Sequence, residues 1–231
     1  MEARPYTYLI AYCTADGKTT PGPKVLERGR EASRGFALAG LQNPQSLMIK
    51  VHRLRAEVDA VLVGHRTVLT DNPQLTVRHG VEGKNPMRVV LSSRGELPDQ
   101  VDILDTNEAP TLVAVSHKAA PEAVQQLRER GIEVYTAGEE RVNLPELLSE
   151  LHRRGIKKLL VEGGATVRWS FLRERLLDEY WLLISPTIWG EGIGITQGDG
   201  FSELSDIQKL ELKAYSMTGG NVVCLEYRAK E

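Results

Sequence analysis

Three short segments combine residue types and spacings that could do chemistry. In Leu160-Val161-Glu162-Gly163-Gly164-Ala165-Thr166 a branched run ends in two glycines and a helix follows. Glycines there let a ligand approach the main chain, and the N–H groups at a helix start can receive a phosphate or pyrophosphate. The pair lacks the spacing of the dinucleotide-binding fingerprint, so alone it reads equally well as a tight strand-to-helix turn. Glu162 adds a carboxylate at the carboxyl end of a strand, where open α/β sheets bind ligands. In Val63-Gly64-His65-Arg66-Thr67-Val68-Leu69-Thr70-Asp71-Asn72-Pro73 a strand again ends at a glycine, followed by a hydroxyl, a carboxylate and a turn. Taken alone, an ordinary helix start with Asp71 at the Asn-Pro turn explains that segment better. Thr14-Ala15-Asp16-Gly17-Lys18 is, alone, a strand running into an Asp-Gly turn.

The elements that must position these segments follow from periodicity. Strands are predicted at Tyr6–Tyr12, Ala60–Val63, Met87–Leu91, Thr111–Val115, Ile132–Tyr135 and Lys158–Val161. Leu47, Val51, Leu54 and Val58 recur at spacings of three and four, which predicts a helix capped by Ser46. Further helices are predicted over Pro121–Arg130 and Pro145–Arg154, closed by Gly131 and Gly155, and from Thr166 to Arg175. Thr67-Val68-Leu69 reads as a further helical turn. Residues 20 to 46 form an atypical insertion between two breaker clusters, with one irregular helix over Lys24–Leu41. Alternating strands and helices predict an α/β fold with a mostly parallel central sheet. After Asp178 the strands Tyr180–Ile184, Lys209–Ser216 and Val222–Arg228 lack intervening helices, so they should pair antiparallel, at least in part, at one edge.

Composition narrows the function class. A chain of 231 residues, 41% hydrophobic, can fill one core without a disulfide or metal, and reads as a single domain, 1–231. A net charge of −2 argues against a nucleic-acid partner. No apolar run has the length of a signal peptide or a membrane span, so a cytoplasmic protein is expected. Cys13 and Cys224 lie among β-forming residues and should be buried thiols. His52, His65, His79, His117 and His152 share no metal-ligand spacing and read as surface or helix-face residues, with no metal expected. Trp169, Trp181 and Trp189 read as core or interface residues.

Together and in this order, the three segments resemble the pyrimidine reductases of riboflavin biosynthesis. The family's Thr-x-Asp-Gly-Lys turn is matched by residues 14–18, and its His-x-x-Arg-Ala helix by His52 to Ala56. Its Val-Gly-x-x-Thr-Val-x-x-Asp-x-Pro-x-Leu-Thr stretch is matched from Val63 to Thr76, and Asn-Pro-x-Arg-Val-Val from Asn85 to Val90 with Ser92 and Ser93 behind it. Glu162-Gly163-Gly164, Leu177-Asp178-Glu179 and Pro186-Thr187-Ile188-Trp189-Gly190 complete the pattern. The resemblance implies a dihydrofolate-reductase-like three-layer α/β/α fold, NADPH as hydride donor, a homodimer, and a ribosylamino-pyrimidine 5′-phosphate reduced to its ribitylamino product. It also implies site residues. Thr67, Asp71 and Ser93 would contact the cofactor, and Gly163, Gly164, Ala165 and Thr166 would hold its phosphates. Arg55, Leu75 and Arg78 would hold the substrate, with Asp16 beside it. Arginine suits a phosphate because its planar fork binds two oxygens at once. Glu162 matches a substrate-contacting carboxylate of the family; because a cationic imine is reduced, a carboxylate near its carbon would stabilise it and help proton delivery, and Glu162 is the candidate for that catalytic role.

Two departures bear on the substrate side. The family's Ser-x-Trp-Ile or Ser-x-x-Ile segment after the Asp-Gly-Lys turn is replaced by the longer stretch Thr20–Gln45, and a lysine of the bacterial branch gives way to about Ile10. The sequence therefore leaves open a reductase of another heterocycle, such as a pterin, on the same fold, or a non-catalytic nucleotide-binding relative.

Overall fold

The computed structural model describes residues 3–230 of the chain. In chain order the elements are β1 (Tyr6–Thr14), β2 (Lys18–Pro21), α1 (Pro23–Leu26), α2 (Arg30–Leu38), α3 (Pro44–Ala56), β3 (Ala60–Gly64), α4 (His65–Asp71), β4 (Met87–Leu91), β5 (Thr111–Val115), α5 (Pro121–Glu129), β6 (Glu133–Thr136), α6 (Leu144–Arg153), β7 (Lys158–Gly163), α7 (Ala165–Arg173), β8 (Glu179–Ser185), β9 (Gly192–Gly194), β10 (Leu210–Thr218) and β11 (Val222–Ala229). The chain divides into two compact units, each drawn from separated stretches. One joins the residues up to Tyr6 to His52–Val161; the other joins Thr7–Val51 to the chain from Glu162 onward.

The first unit carries the strand order β7-β3-β4-β5-β6. The pairs β3/β4, β4/β5 and β5/β6 are parallel. Every residue of β3 and β5 is buried, as unbroken apolar strands of a sheet covered on both faces must be. The connecting helices supply the cover. In α6, Leu144, Leu147, Leu148 and Leu151 are all buried, one face at helical spacing, each worth roughly 1.5–3 kcal/mol of transfer energy. Asn143 caps that helix by accepting from the Glu146 N–H at 3.0 Å. Arg88 of β4 is wholly buried, and its guanidinium is satisfied by Thr111 Oγ1 and the carbonyls of Asp105 and Ala109 at 2.6–2.9 Å.

In the second unit the order is β10-β11-β8-β1. β1 pairs parallel with β8, while β8/β11 and β10/β11 are antiparallel. The fold is thus mixed α/β, mostly parallel, with antiparallel C-terminal strands at the edge, as the sequence predicts. Cys13 and Cys224 are buried free thiols, and burial pushes Cys13 up to about 11.

The insertion differs from its sequence reading. Instead of one irregular helix it forms β2, which pairs with β9, and then two helices, α1 and α2. They separate around Gly29, whose φ of +91° is a turn conformation that a helix cannot contain. α3 begins at Pro44, two residues before the expected cap. Asn43 Oδ1 receives the Ser46 N–H at 3.1 Å, and proline is at home in the first helical position, so Asn-Pro is a start signal here rather than a breaker.

Candidate active site

The candidate residues fall into two sets, one on each unit. On the first, β3 ends at Gly64, paired with Leu91 of β4, so α4 and the Ser92-Ser93 turn leave from the carboxyl ends of neighbouring strands. Thr67 is half-buried in the first turn of α4 and Asp71, exposed, ends it. Their spacing of four puts both on one helix face. The helix is fuller than the single turn read from the sequence, and stops where expected, at Asn72 with φ +44°. Ser93 is half-buried; its carbonyl receives Ser116 N–H and Oγ, and its Oγ receives Val142 N–H at 3.3 Å. Beside it, Ser92 Oγ lies 3.2 Å from His65 Nδ1.

Between α4 and β4 the chain runs from Asn72 to Pro86 without helix or strand. Side chains must therefore satisfy its main-chain groups. Arg55 Nη1 donates to Thr76 O at 3.1 Å, Asn85 Oδ1 receives Val77 N–H at 2.7 Å, and His52 Nδ1 receives Arg78 N–H at 2.8 Å. Leu75 is buried at φ +54°, and Arg78 is exposed. The structure so brings Arg55, Leu75 and Arg78 together along one segment. It also corrects the reading of His52, which is only 2% exposed and faces inward. The sequence signal was present: His52 and Arg55 are three residues apart, hence on one side of α3. Burial, and the positive charges of Arg55, His79 and Arg78, push His52 down to about 4.

On the second unit, β7 delivers Glu162 half-buried and Gly163 buried at its end. Gly164, at φ +91°, turns the chain into α7, where Ala165 is buried and Thr166 exposed. A side chain at that φ would be strained, which accounts for the second glycine. The first-turn N–H groups of α7 have no partner within the helix. Asp16 sits in the turn after β1, accepting from Thr14 Oγ1 at 2.5 Å, Gly190 N–H at 2.8 Å and Trp189 N–H at 3.2 Å. The Thr14 hydroxyl, then those two amides, hold its carboxyl down at about 2. Asp16 thus ties the Pro186–Gly190 turn to β1.

The stretch from Ile195 to Phe201, which carries no motif in the sequence, is lashed to α7. Arg168 Nε donates to Ile195 O at 2.6 Å, Trp169 Nε1 to Asp199 Oδ1 at 2.8 Å, and the Trp169 and Phe201 rings lie 4.9 Å apart. Trp169 is buried, as expected of a core residue; Trp181 and Trp189 are half-buried.

Each unit by itself presents polar groups at the end of a strand: on one, a glycine turn that opens onto the first-turn N–H groups of α7; on the other, hydroxyls at the ends of neighbouring parallel strands. Among the described residues no group of His, Cys, Asp and Glu could hold a metal ion, and no helix is long and apolar enough to cross a membrane.

Comparison with known proteins agrees over almost the whole chain. The family model described as the RibD C-terminal domain matches residues 5–224. A protein of Aquifex aeolicus named 2,5-diamino-6-ribosylamino-4(3H)-pyrimidinone 5′-phosphate reductase is 38% identical over 95% of this chain and 95% of its own. One of the same name from Methanothermobacter thermautotrophicus is 41% identical over 98% and 99%. Among solved structures, the Thermotoga maritima deaminase/5-amino-6-(5-phosphoribosylamino)uracil reductase superimposes with a TM-score of 0.75 at 28% identity, over 98% of this chain and 57% of that one. Acinetobacter baumannii RibD gives 0.78 at 25% identity, over 98% and 58%. The chain thus spans somewhat over half the length of those solved relatives.

Proposed function

We propose that this chain, which belongs to the RibD C-terminal domain family, is an NADPH-dependent reductase that converts 2,5-diamino-6-ribosylamino-4(3H)-pyrimidinone 5′-phosphate to its ribitylamino form in riboflavin biosynthesis. The observation that carries the reading is the 37–41% identity, along nearly the full chain, to three reductases named for that diamino substrate. Family membership makes the chain an oxidoreductase; the nicotinamide's identity, the diamino substrate and every residue role below are our reading. We take it to act in the cytoplasm.

The ribosylamine opens to an imine, and reduction of that imine gives the ribityl chain. When bound, the reduced nicotinamide supplies the hydride to the imine carbon. The protein's part is to bind, orient and stabilise charge. The N–H groups that follow Gly163 and Gly164, through Ala165 and Thr166, hold cofactor phosphate, supported by the φ of Gly164. Thr67, Asp71 and Ser93 contact the rest of the cofactor. Arg55, Leu75 and Arg78 hold the substrate, the arginines its phosphate. Asp16 fixes the turn that borders the substrate through its bonds to Trp189 and Gly190. Glu162 is the carboxylate that stabilises the cationic imine and keeps the proton on its nitrogen during reduction.

The direct test follows oxidation of NADPH by absorbance, with the diamino and amino-oxo phosphates side by side. Turnover of the diamino compound is expected. Turnover of the amino-oxo compound alone would reassign the substrate, and turnover of neither would overturn the reading. Glu162→Gln should bind NADPH as the parent does and lose most turnover, about a hundredfold or more; unchanged turnover removes Glu162 from the mechanism.

The family resemblance also implies a homodimer, and we assign its contact to β10. Leu212, Tyr215 and Met217 are 49%, 78% and 61% exposed on this edge strand, an apolar surface that a second copy would cover.

A further inference from the structure

We infer that His52 is a positioning residue, which fixes the main chain at Arg78 so that this arginine meets the substrate's phosphate; the inference rests on the reading of Arg78 as a substrate contact. The segment from Asn72 to Pro86 has no ladder to hold it. Its shape is set by side chains that reach individual peptide groups. Two of them, His52 and Arg55, come from successive turns of the same face of α3. Arg55 grips the Thr76 carbonyl and His52 the Arg78 amide, so the three residues between Leu75 and His79 are clamped at either end.

The imidazole suits the task because of its protonation state. Nδ1 receives the Arg78 N–H, so the ring's own proton is on Nε2. A second proton on Nδ1 would set donor against donor and break the bond. The groups that face the ring are Arg55, Arg78 and His79, the last with its ring edge-on at a centroid distance of 4.6 Å. All are cationic or able to become so, and with burial they keep His52 neutral at any pH near 7. Thr76 O alone favours the charged form. The bond is therefore intact near pH 7, and it ends on the amide of the residue that carries the exposed guanidinium. Holding the amide fixes the Arg78 Cα, from which an exposed side chain extends. Loss of the bond leaves the Arg55 and Asn85 bonds in place, so the effect should be confined to Arg78.

The test is steady-state kinetics of the whole protein with the ribosylamino-pyrimidine phosphate and with its dephosphorylated nucleoside. His52→Phe keeps a buried ring and removes the acceptor. It should raise KM for the phosphorylated substrate about tenfold, the scale of one hydrogen bond's worth of misplacement. kcat, NADPH affinity and KM for the nucleoside should hardly move. His52→Asn, whose amide oxygen can stand where Nδ1 stands, should restore most of the loss. Equal KM in parent and His52→Phe, or a parallel fall in kcat and NADPH affinity with no rescue by His52→Asn, would overturn the role. Should His52→Phe fail to fold, nitrogen NMR of the parent's imidazole decides: a neutral Nε2-protonated ring supports the inference and an Nδ1-protonated ring overturns it. A parent with no turnover on any pyrimidine phosphate would instead sink the functional reading, together with this role.

Discussion

Leu75 sits in the left-handed region at φ +54° with its side chain 1% exposed. Two effects oppose each other there. A side chain in that region costs roughly 1–2 kcal/mol, which glycine would recover. Emptying a buried leucine site costs roughly 2–5 kcal/mol. Burial wins, so Leu75→Gly should lose about 1–3 kcal/mol in urea unfolding; a more stable variant would show that the backbone strain dominates. The same residue illustrates what sequence can convey. The type and spacing of Leu75, Arg78 and Arg55 are legible, but the left-handed backbone that buries one and exposes another is not, because it depends on main-chain partners contributed by α3 and Asn85. The inward position of His52 is hidden from the sequence for the same reason. A histidine's role depends on what faces each ring nitrogen, and the Arg78 amide lies 26 residues downstream.

At the level of elements, long periodic stretches were legible and short ones were not. Strands β3, β5 and β7 and helices α5 and α6 carry apolar runs or faces that admit little else. β9 has three residues, two of them glycine, and exists through its pairing with β2. The stretch that follows it depends on α7 in the same way. A Cβ on Gly198 would lie 1.8 Å from Trp169 Cδ1, an overlap that no small shift relieves, because the indole is itself buried and bonded to Asp199. Gly198→Ala should therefore lift this stretch from α7 and break the Trp169–Asp199 bond. The readouts are a red-shifted tryptophan emission and faster amide exchange at Gln197, whose N–H bonds to Ala165 O. Emission and exchange like the parent's would mean that the stretch is docked by other contacts.

For the molecule as a whole, acid should be more damaging than the net charge of −2 suggests. His52 titrates near 6.5 when unfolded and at about 4 when folded. Between those values the unfolded chain holds the extra proton, so this contribution is complete above pH 6.5 and declines as pH falls towards 4. At full size it is worth at most about 3 kcal/mol. Urea midpoints of the parent should fall between about pH 7 and pH 5 by more than those of His52→Asn, which lacks the imidazole. Parallel falls would place the acid sensitivity elsewhere. The proposed assembly is tested at the same scale: Tyr215→Lys with Met217→Glu puts charge on the exposed strand β10 and should halve the mass seen by light scattering. A mass that does not change would move the interface away from β10.

Both sulfhydryls are closed off in the native chain, Cys13 at 2% exposure and Cys224 at none. Alkylating reagents need a thiolate they can reach, and the raised titration of both groups further withholds it. Modification in the native state must then wait for the β1 or β11 region to open, which makes the labelling rate a local clock of breathing. It also leaves a silent background, so a single cysteine introduced on the surface would carry a dye or spin label alone.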